Sequence, residues 1–417
     1  MIYVPFIWFL GLSIYLWRKQ QCIDVSVFLS LLYALTAFCA ILCVNLNFLG
    51  SGGVQYTTDN LQLNVIPTFL YCFLHTMLIL PFSKINPSKI NDITISNRVL
   101  FDLFVYFLFA VALLNIYVVT DNIIQVFVEK DFSAVREAHY ADDETLAEAK
   151  TKALPLLLGY FYYFNRTTIL ALPCFFYSLC FLNKPTWFNI GLIICALSLP
   201  LYSISAVDRT EIIFFAQTFC LCFLLFRPFI KTVQWRFLKK IIIPLGIIAI
   251  FYVGAITIAR WGDKDQGANG AVLQYAGQNY LNFCYFYENC SSNYVHTERM
   301  LPLTNKIFKD QSYTDVRDKI SEEQGFFISV FATYLGVFLC DTGIHGMLLW
   351  ALCFFLLLLF TIKKTTDTIS FGQIFWYYLM ATIPMFGIFY YPYFTWLQVV
   401  CVIVCAVMSI LFHYKFK

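Results

Sequence analysis

A chain of 417 residues that is 60% hydrophobic and 13% charged carries about half the charged fraction of a soluble protein of its size. Its apolar residues fall into blocks of about 16 to 24, and roughly 20 residues cross a hydrocarbon core. The expected fold is therefore an all-α, polytopic membrane protein, with 45 Phe and 27 Tyr facing lipid and forming aromatic belts. A formal net charge of +3 decides little, because the charges sort by side; no nucleic-acid partner is expected.

In chain order the apolar blocks lie near 2–17, 25–48, 63–82, 99–120, 153–182, 186–203, 211–229, 241–259, 344–362, 371–390 and 394–412. The first lacks a basic leading region and a small-residue cleavage site, so it reads as a retained span. Positive residues recur at Arg18/Lys19, Lys84/Lys89/Arg98, Lys184, Arg227/Lys231/Arg236/Lys239/Lys240, Lys363/Lys364 and Lys415/Lys417. These alternate loops hold more than half of the 28 Lys and Arg, but only Asp24, Asp92, Asp102 and Asp367 of the 25 acidic residues. By the positive-inside rule they are cytoplasmic. The N-terminus is then outside and the C-terminus inside, and about eleven spans fit. Most of the 15 Cys sit within spans as small apolar residues. A Cys284–Cys290 disulfide is left open, and no Cys/His spacing resembles a metal site.

The cytoplasmic loops are short and no GxxxxGK[ST] motif occurs, so neither a nucleotide-binding domain nor a cofactor is expected. Two outer loops are long: 121–152, and 260–343 between the eighth and ninth spans. The first contains DFSAVREAHYADDETLAEAK, which suggests an amphipathic surface helix. The second mixes Tyr and Trp with Asn and Gln, the flat faces and adjacent donors that a sugar-binding surface uses. Within it the apolar run 325–340 precedes Asp341-Thr342-Gly343 and a further apolar run. If both runs crossed, Lys363 and Lys364 would face outside. The segment 325–340 is therefore read as re-entrant or interfacial, returning at Asp341–Gly343 and lining protein or a wet cavity.

Three arginines carry the functional reading. Arg209 lies in the hairpin SAVDRTEII, Arg260 at the outer end of the eighth span, and Arg166 inside the 30-residue apolar stretch 153–182. Counted up a continuous helix from Leu182, Arg166 lies roughly 24 Å from the inner end, so all three fall near the outer headgroup plane. A planar guanidinium binds phosphate oxygens bidentately, and a polyprenyl diphosphate presents its diphosphate at that depth. The plainer alternative pairs Arg209 with Asp208 or Glu211, and Arg260 with Asp263. Candidate proton acceptors are Asp208, Glu211, Asp341 and His296, the last more readily read as an ordinary loop residue. The DxD at Asp263–Asp265 is on the wrong side for a nucleotide sugar.

With the VDRTEII hairpin, the AVREAHY segment, a large loop opening at Arg260, and FATYLGVFLCDTGIHGMLLW after it, the chain resembles the O-antigen, or oligosaccharide repeat-unit, polymerases (Wzy-type) of bacterial envelopes. That family has an aromatic stretch ending in a D/G-x-G-x-x-G turn, matched here by Asp341, Gly343 and Gly346. The resemblance implies a GT-C-like enzyme of the bacterial inner membrane with its active face periplasmic, in lipopolysaccharide or other surface-polysaccharide synthesis. It implies metal-independent, inverting transfer of a glycan from undecaprenyl diphosphate to the non-reducing end of another lipid-linked unit. Membrane lipids and a chain-length regulator protein are the implied partners. Arg209, Arg260, Asp341 and His296 are then the catalytic candidates. Arg136, Arg166, Asp208, Glu211, Tyr275, Asn279, Tyr280 and Arg299 are the substrate-binding candidates. Alternatives are an O-antigen ligase, which passes the same donor to a lipid A core, and a lipid-linked oligosaccharide flippase; the chain shows no internal repeat of the transporter kind.

Overall fold

The computed structural model describes residues 1–49, 61–129, 150–182, 184–261, 267–290, 295–309, 311–328 and 330–414, with backbone alone for Glu129, Arg260, Trp261, Gly267 and Ala268. The described residues are 79% helical. Among the described residues eight helical stretches are long and apolar enough to cross a bilayer: Val25–Asn45, Val65–Lys89, Arg98–Val128, Thr186–Ser205, Thr210–Phe229, Thr232–Ala259, Thr333–Thr361 and Trp396–His413. It is an all-α, polytopic membrane protein.

Three expected spans are not in that set. Helix α1 (Val4–Gln20) has 17 residues, and a helix at Phe371–Phe386 has 16. The stretch 153–182 is not one helix but α5 (Leu156–Tyr162), a 3-10 turn at Asn165–Leu170 and α6 (Ala171–Phe181). The break has a local cause. The hydroxyls of Thr167 and Thr168 bond back to the carbonyls of Phe164 and Asn165, at 2.6 and 2.8 Å, and compete with the helical ladder. The depth assigned to Arg166 by counting up a continuous helix therefore does not stand. The expected outer loop at 121–152 is also shorter at its start, because α4 (Arg98–Glu129) runs on into it.

The chain divides into two compact units. The first comprises 1–89, 264–366 and 380–399; the second comprises 90–263, 367–379 and 400–417. In the first unit α2 (Val25–Asn45) packs between α1 and α10 (Gly267–Asn289), with α3 (Val65–Ile79) beside them. Asp24 caps α2, accepting from Val27 N–H at 2.9 Å. A Cβ on Gly277 of α10 would stand 2.5 Å from Ala40 N, so only glycine permits this approach to α2. In the second unit α7 (Thr186–Ser205) is central, against α4, α6 and α8 (Thr210–Phe226). A long helix, α9 (Thr232–Trp261), leaves most of its surface exposed. The strands β1 (Asp92–Thr94) and β2 (Thr368–Ser370) pair in parallel.

The segment α13 (Thr333–Thr361) is two helical arms broken at Gly343, with φ 69° and ψ −175°. In a straight helix Phe338 and Trp350 would stand about 18 Å apart, and Tyr334 and Trp350 about 24 Å. Their ring centroids lie 4.3 and 5.3 Å apart. The chain doubles back at Gly343. The first arm starts at Thr333, whose N–H and that of Tyr334 donate to Phe389 and Gly387 carbonyls at 3.1 and 2.9 Å. Residues 325–328 and 330–332 ahead of it are outside any helix.

Gly343 occupies backbone space that is essentially glycine-only. Gly343→Ala is expected to cost about 1–3 kcal/mol and to lower the thermal unfolding transition in detergent. Gly246→Ala, on a helix with nothing within 4 Å of the new Cβ, should not lower it. Equal transitions for the two variants would contradict the strained reversal.

Candidate functional site

In the first unit the segment after α10 brings His296, Glu298 and Arg299 to the hairpin turn. Arg299 is 3% exposed and Asp341 has no exposure at all. The guanidinium grips the carboxylate from Nε, at 3.1 Å to each oxygen, and from Nη2 to Oδ1. His296 N–H donates to the Asp341 carbonyl at 2.6 Å. Its Nε2 meets the Glu323 carboxylate, and its Nδ1 lies 3.7 Å from Glu298. Lys309 Nζ holds the other oxygen of Glu298 at 2.5 Å. Burial pushes the Glu298 carboxyl up, but the Lys309 ammonium and backbone N–H donors outweigh it and hold it below its usual 4.5. Burial likewise opposes the Arg299 charge, and the Asp341 carboxylate outweighs it, raising the guanidinium pKa.

Beside this cluster is a cavity of about 390 Å³, walled by Glu298, Arg299, Lys306, Tyr313, Phe394 and Trp396. Two short helices form one wall: α11 (Pro302–Phe308) and α12 (Tyr313–Gln324). Ser312 and Asp315 close a capping box on α12, which buries Val316 and Ile320 one turn apart and leaves its polar side outward. The rings of Tyr313 and Phe394 stand 4.5 Å apart. Aromatic faces next to cations and a carboxylate form a surface on which a charged sugar can stack and be hydrogen-bonded.

In the second unit Arg166, on the 3-10 turn, pairs with Glu211 and lies 5.6 Å over the Tyr202 ring. Ahead of Arg209 the chain turns through Val207, whose φ of 49° is rare for a β-branched residue. Val207 is buried with Val126 and Ile256. Asp208 accepts the Arg209 backbone N–H at 2.7 Å. Arg209 Nη1 donates to Thr257 Oγ1 at 2.7 Å. Thr257 lies three residues before Arg260 on α9, about 4.5 Å along the axis. The hairpin arginine is thus brought within one helical turn of the Arg260 backbone.

These findings revise several expectations. Glu211 partners Arg166 rather than Arg209. Asn279 and Tyr280 do not line an open loop; both are fully buried on α10. Asn279 Nδ2 donates to the Ile388 carbonyl at 3.1 Å, and the Tyr280 and Thr68 hydroxyls meet at 2.8 Å. Tyr275 packs its ring 5.3 Å from Phe331. Cys284 does not approach Cys290; the sulfur facing Cys290 is that of Cys340. Arg136 and Asp263 lie outside the described residues, as does the Arg260 side chain. Sequence reasoning missed Glu323, Lys306, Tyr313, Phe394 and Trp396, although YYPYFTW was a visible aromatic cluster between two spans. Among the described residues no group of His, Cys, Asp and Glu could hold a metal ion.

No protein-family model matches the chain, and no curated protein or solved structure matches it.

Removing one member of a buried ion pair strands the other charge, at about 3–5 kcal/mol. Arg299→Met and Asp341→Leu are each expected to lower the unfolding temperature in detergent strongly, and the double variant to recover much of the loss. Additive losses would mean that the pair is not coupled. Because the folded Glu298 carboxyl sits below 4.5, its contribution is complete above that pH and is lost as pH falls through the folded value. Lys309→Met should flatten this acid limb of the stability profile; an unaltered limb would show that Lys309 is not its source.

Proposed function

We propose that this chain is a glycan-transferring enzyme of the membrane, a polymerase of polyprenyl-diphosphate-linked repeat units. The single observation that carries the reading is the tie of the hairpin arginine Arg209 to α9 beside the Arg260 backbone, in the unit that also holds Arg166. Arg209 reaches Thr257, one turn from Arg260, while Arg166 is fixed by Glu211 two residues beyond Arg209. A diphosphate leaving group needs cations placed before its charge develops, and guanidinium groups supply fork-shaped donors for it.

The reaction joins an acceptor hydroxyl oxygen to the anomeric carbon as the bond from that carbon to the diphosphate breaks. The electron pair leaves on the diphosphate, and the hydroxyl proton passes to a base. Asp341 and Glu211 are each committed to an arginine, and His296 stands between two glutamates. Asp208 is a half-buried carboxylate beside Arg209 and is the proposed base. Within the first unit the aromatic cavity is, by itself, a candidate surface for binding a sugar.

Loop contacts inside each unit support about eleven crossings, with 260–343 on the outer face. In the first unit Asn86 bonds the Gln20 carbonyl at 3.0 Å and the Thr365 hydroxyl at 2.7 Å. In the second, β1 pairs with β2, Ser96 meets the His413 carbonyl at 2.8 Å, and Lys184 meets Asp102 at 2.6 Å. The basic loops thus meet one another within each unit. The 17 residues of α1 reach about 26 Å, close to a bilayer core that can thin to match. A ligase reading draws on the His296–Glu323 contact.

Purified protein given only synthetic undecaprenyl diphosphate repeat units should build a glycan ladder and release undecaprenyl diphosphate, without sugar nucleotide and with EDTA present. Arg209→Ala should abolish the ladder in a protein that still inserts, and Arg209→Lys should restore it only in part. A product made only with lipid A core would make the chain a ligase. Substrate that changes sidedness in vesicles at constant mass would make it a flippase.

A further inference from the structure

Cys290 directly follows α10, and Cys340 lies in the first arm of the hairpin, immediately before Asp341. Their sulfurs stand 2.7 Å apart. That is closer than unbonded sulfurs pack and a fraction of an ångström beyond a bond of about 2.0 Å. Cys340 is buried at 1% exposure, while Cys290 is partly exposed. Gln324 Nε2 donates to the Cys340 carbonyl at 3.1 Å, a second tie at the same residue.

We infer that Cys290 and Cys340 form a disulfide that closes the cavity-bearing segment 291–339 into a covalent loop. Within that segment lie His296, Glu298, Arg299, α11 and α12. One end of the loop becomes fastened beside the carboxylate that holds Arg299. The accessible Cys290 thiolate attacks a disulfide-bearing oxidant, giving a mixed disulfide and releasing one thiol of the oxidant. The Cys340 thiol then displaces the second. One S–S bond forms in the protein, and the two electrons and two protons end on the oxidant as two thiols. Such an oxidant acts on the non-cytoplasmic side, so the inference rests on the sidedness given under the proposed function. Its readout is peptide mass, so it is independent of whether glycan is made.

The test uses the full chain in its native membranes. Membranes are dissolved in acid and denaturant to stop exchange, free thiols are blocked with N-ethylmaleimide, and the protein is digested without reduction. The expected result is a linked peptide pair containing Cys290 and Cys340, lighter than the two free peptides by two hydrogens. Reduction should split it and expose both sulfurs to a second, heavier maleimide. Cys290→Ser should leave Cys340 carrying the first label, so that both ends are assigned even if that variant folds less well. Cys290 and Cys340 both carrying the first label in the wild-type chain would overturn the inference. So would a linked pair joining Cys290 to Cys284.

Discussion

Asp341 has no contact with solvent, and its charge persists there only because Arg299 reaches it through two nitrogens. Separated, either group would be an uncompensated charge in a medium of low dielectric, which costs several kcal/mol. Much of the first unit depends on keeping them together. The hairpin must reverse at Gly343 for Asp341 to stand at its turn, and the chain after α10 must return to the same point to deliver Arg299. The bond from His296 N–H to the Asp341 carbonyl fastens that return a second time. The cavity exists because the segment tied there, followed by α11 and α12, has to pass in front of Phe394 and Trp396.

The second unit obeys the same rule with different means. A break in an apolar stretch exposes backbone groups that need partners, and the threonine hydroxyls at 167 and 168 supply part of that need. The break gives Arg166 a turn rather than a helix face from which to reach Glu211. Val207 accepts an unfavourable φ because its side chain is buried against Val126 and Ile256. That packing aims Arg209 at Thr257. Strain held by apolar packing next to a cation is how a short hairpin keeps a long, flexible side chain in one place.

Eight of the expected spans were legible because hydropathy is a property of single residues summed over a window; the break inside 153–182 was not, because it depends on where the Thr167 and Thr168 hydroxyls bond. Gly343 announced itself too, since an Asp-Thr-Gly between two apolar runs has few other readings. The helix α10 did not. Its mixed polar and aromatic composition read as loop, although Gln274, Gln278 and Asn282 recur at every fourth position, the spacing of one helix face. All three amides are buried, and Asn282 donates to the Phe331 carbonyl at 2.9 Å. The partners of Arg166 and Arg299 were illegible in principle. Each lies more than forty residues away, and only the folded backbone decides which of several nearby acids it meets.

The two sides of the cavity differ in how firmly they are held. One side is Phe394, Thr395, Trp396 and Leu397, at the start of a long helix, where Gln398 accepts the Thr395 N–H at 3.0 Å. The α11–α12 side is attached thinly: α12 buries only Val316 and Ile320, and α11 only Pro302. Local opening costs least where few apolar contacts must be broken, so this wall is the side of the cavity that costs least to move. Its pivots are the contacts at its ends, Arg299 with Asp341 before α11 and His296 with Glu323 on the last turn of α12. Both are polar contacts at the two ends of that segment. A bulky polar ligand can then enter without disturbing the buried charges that hold the site together.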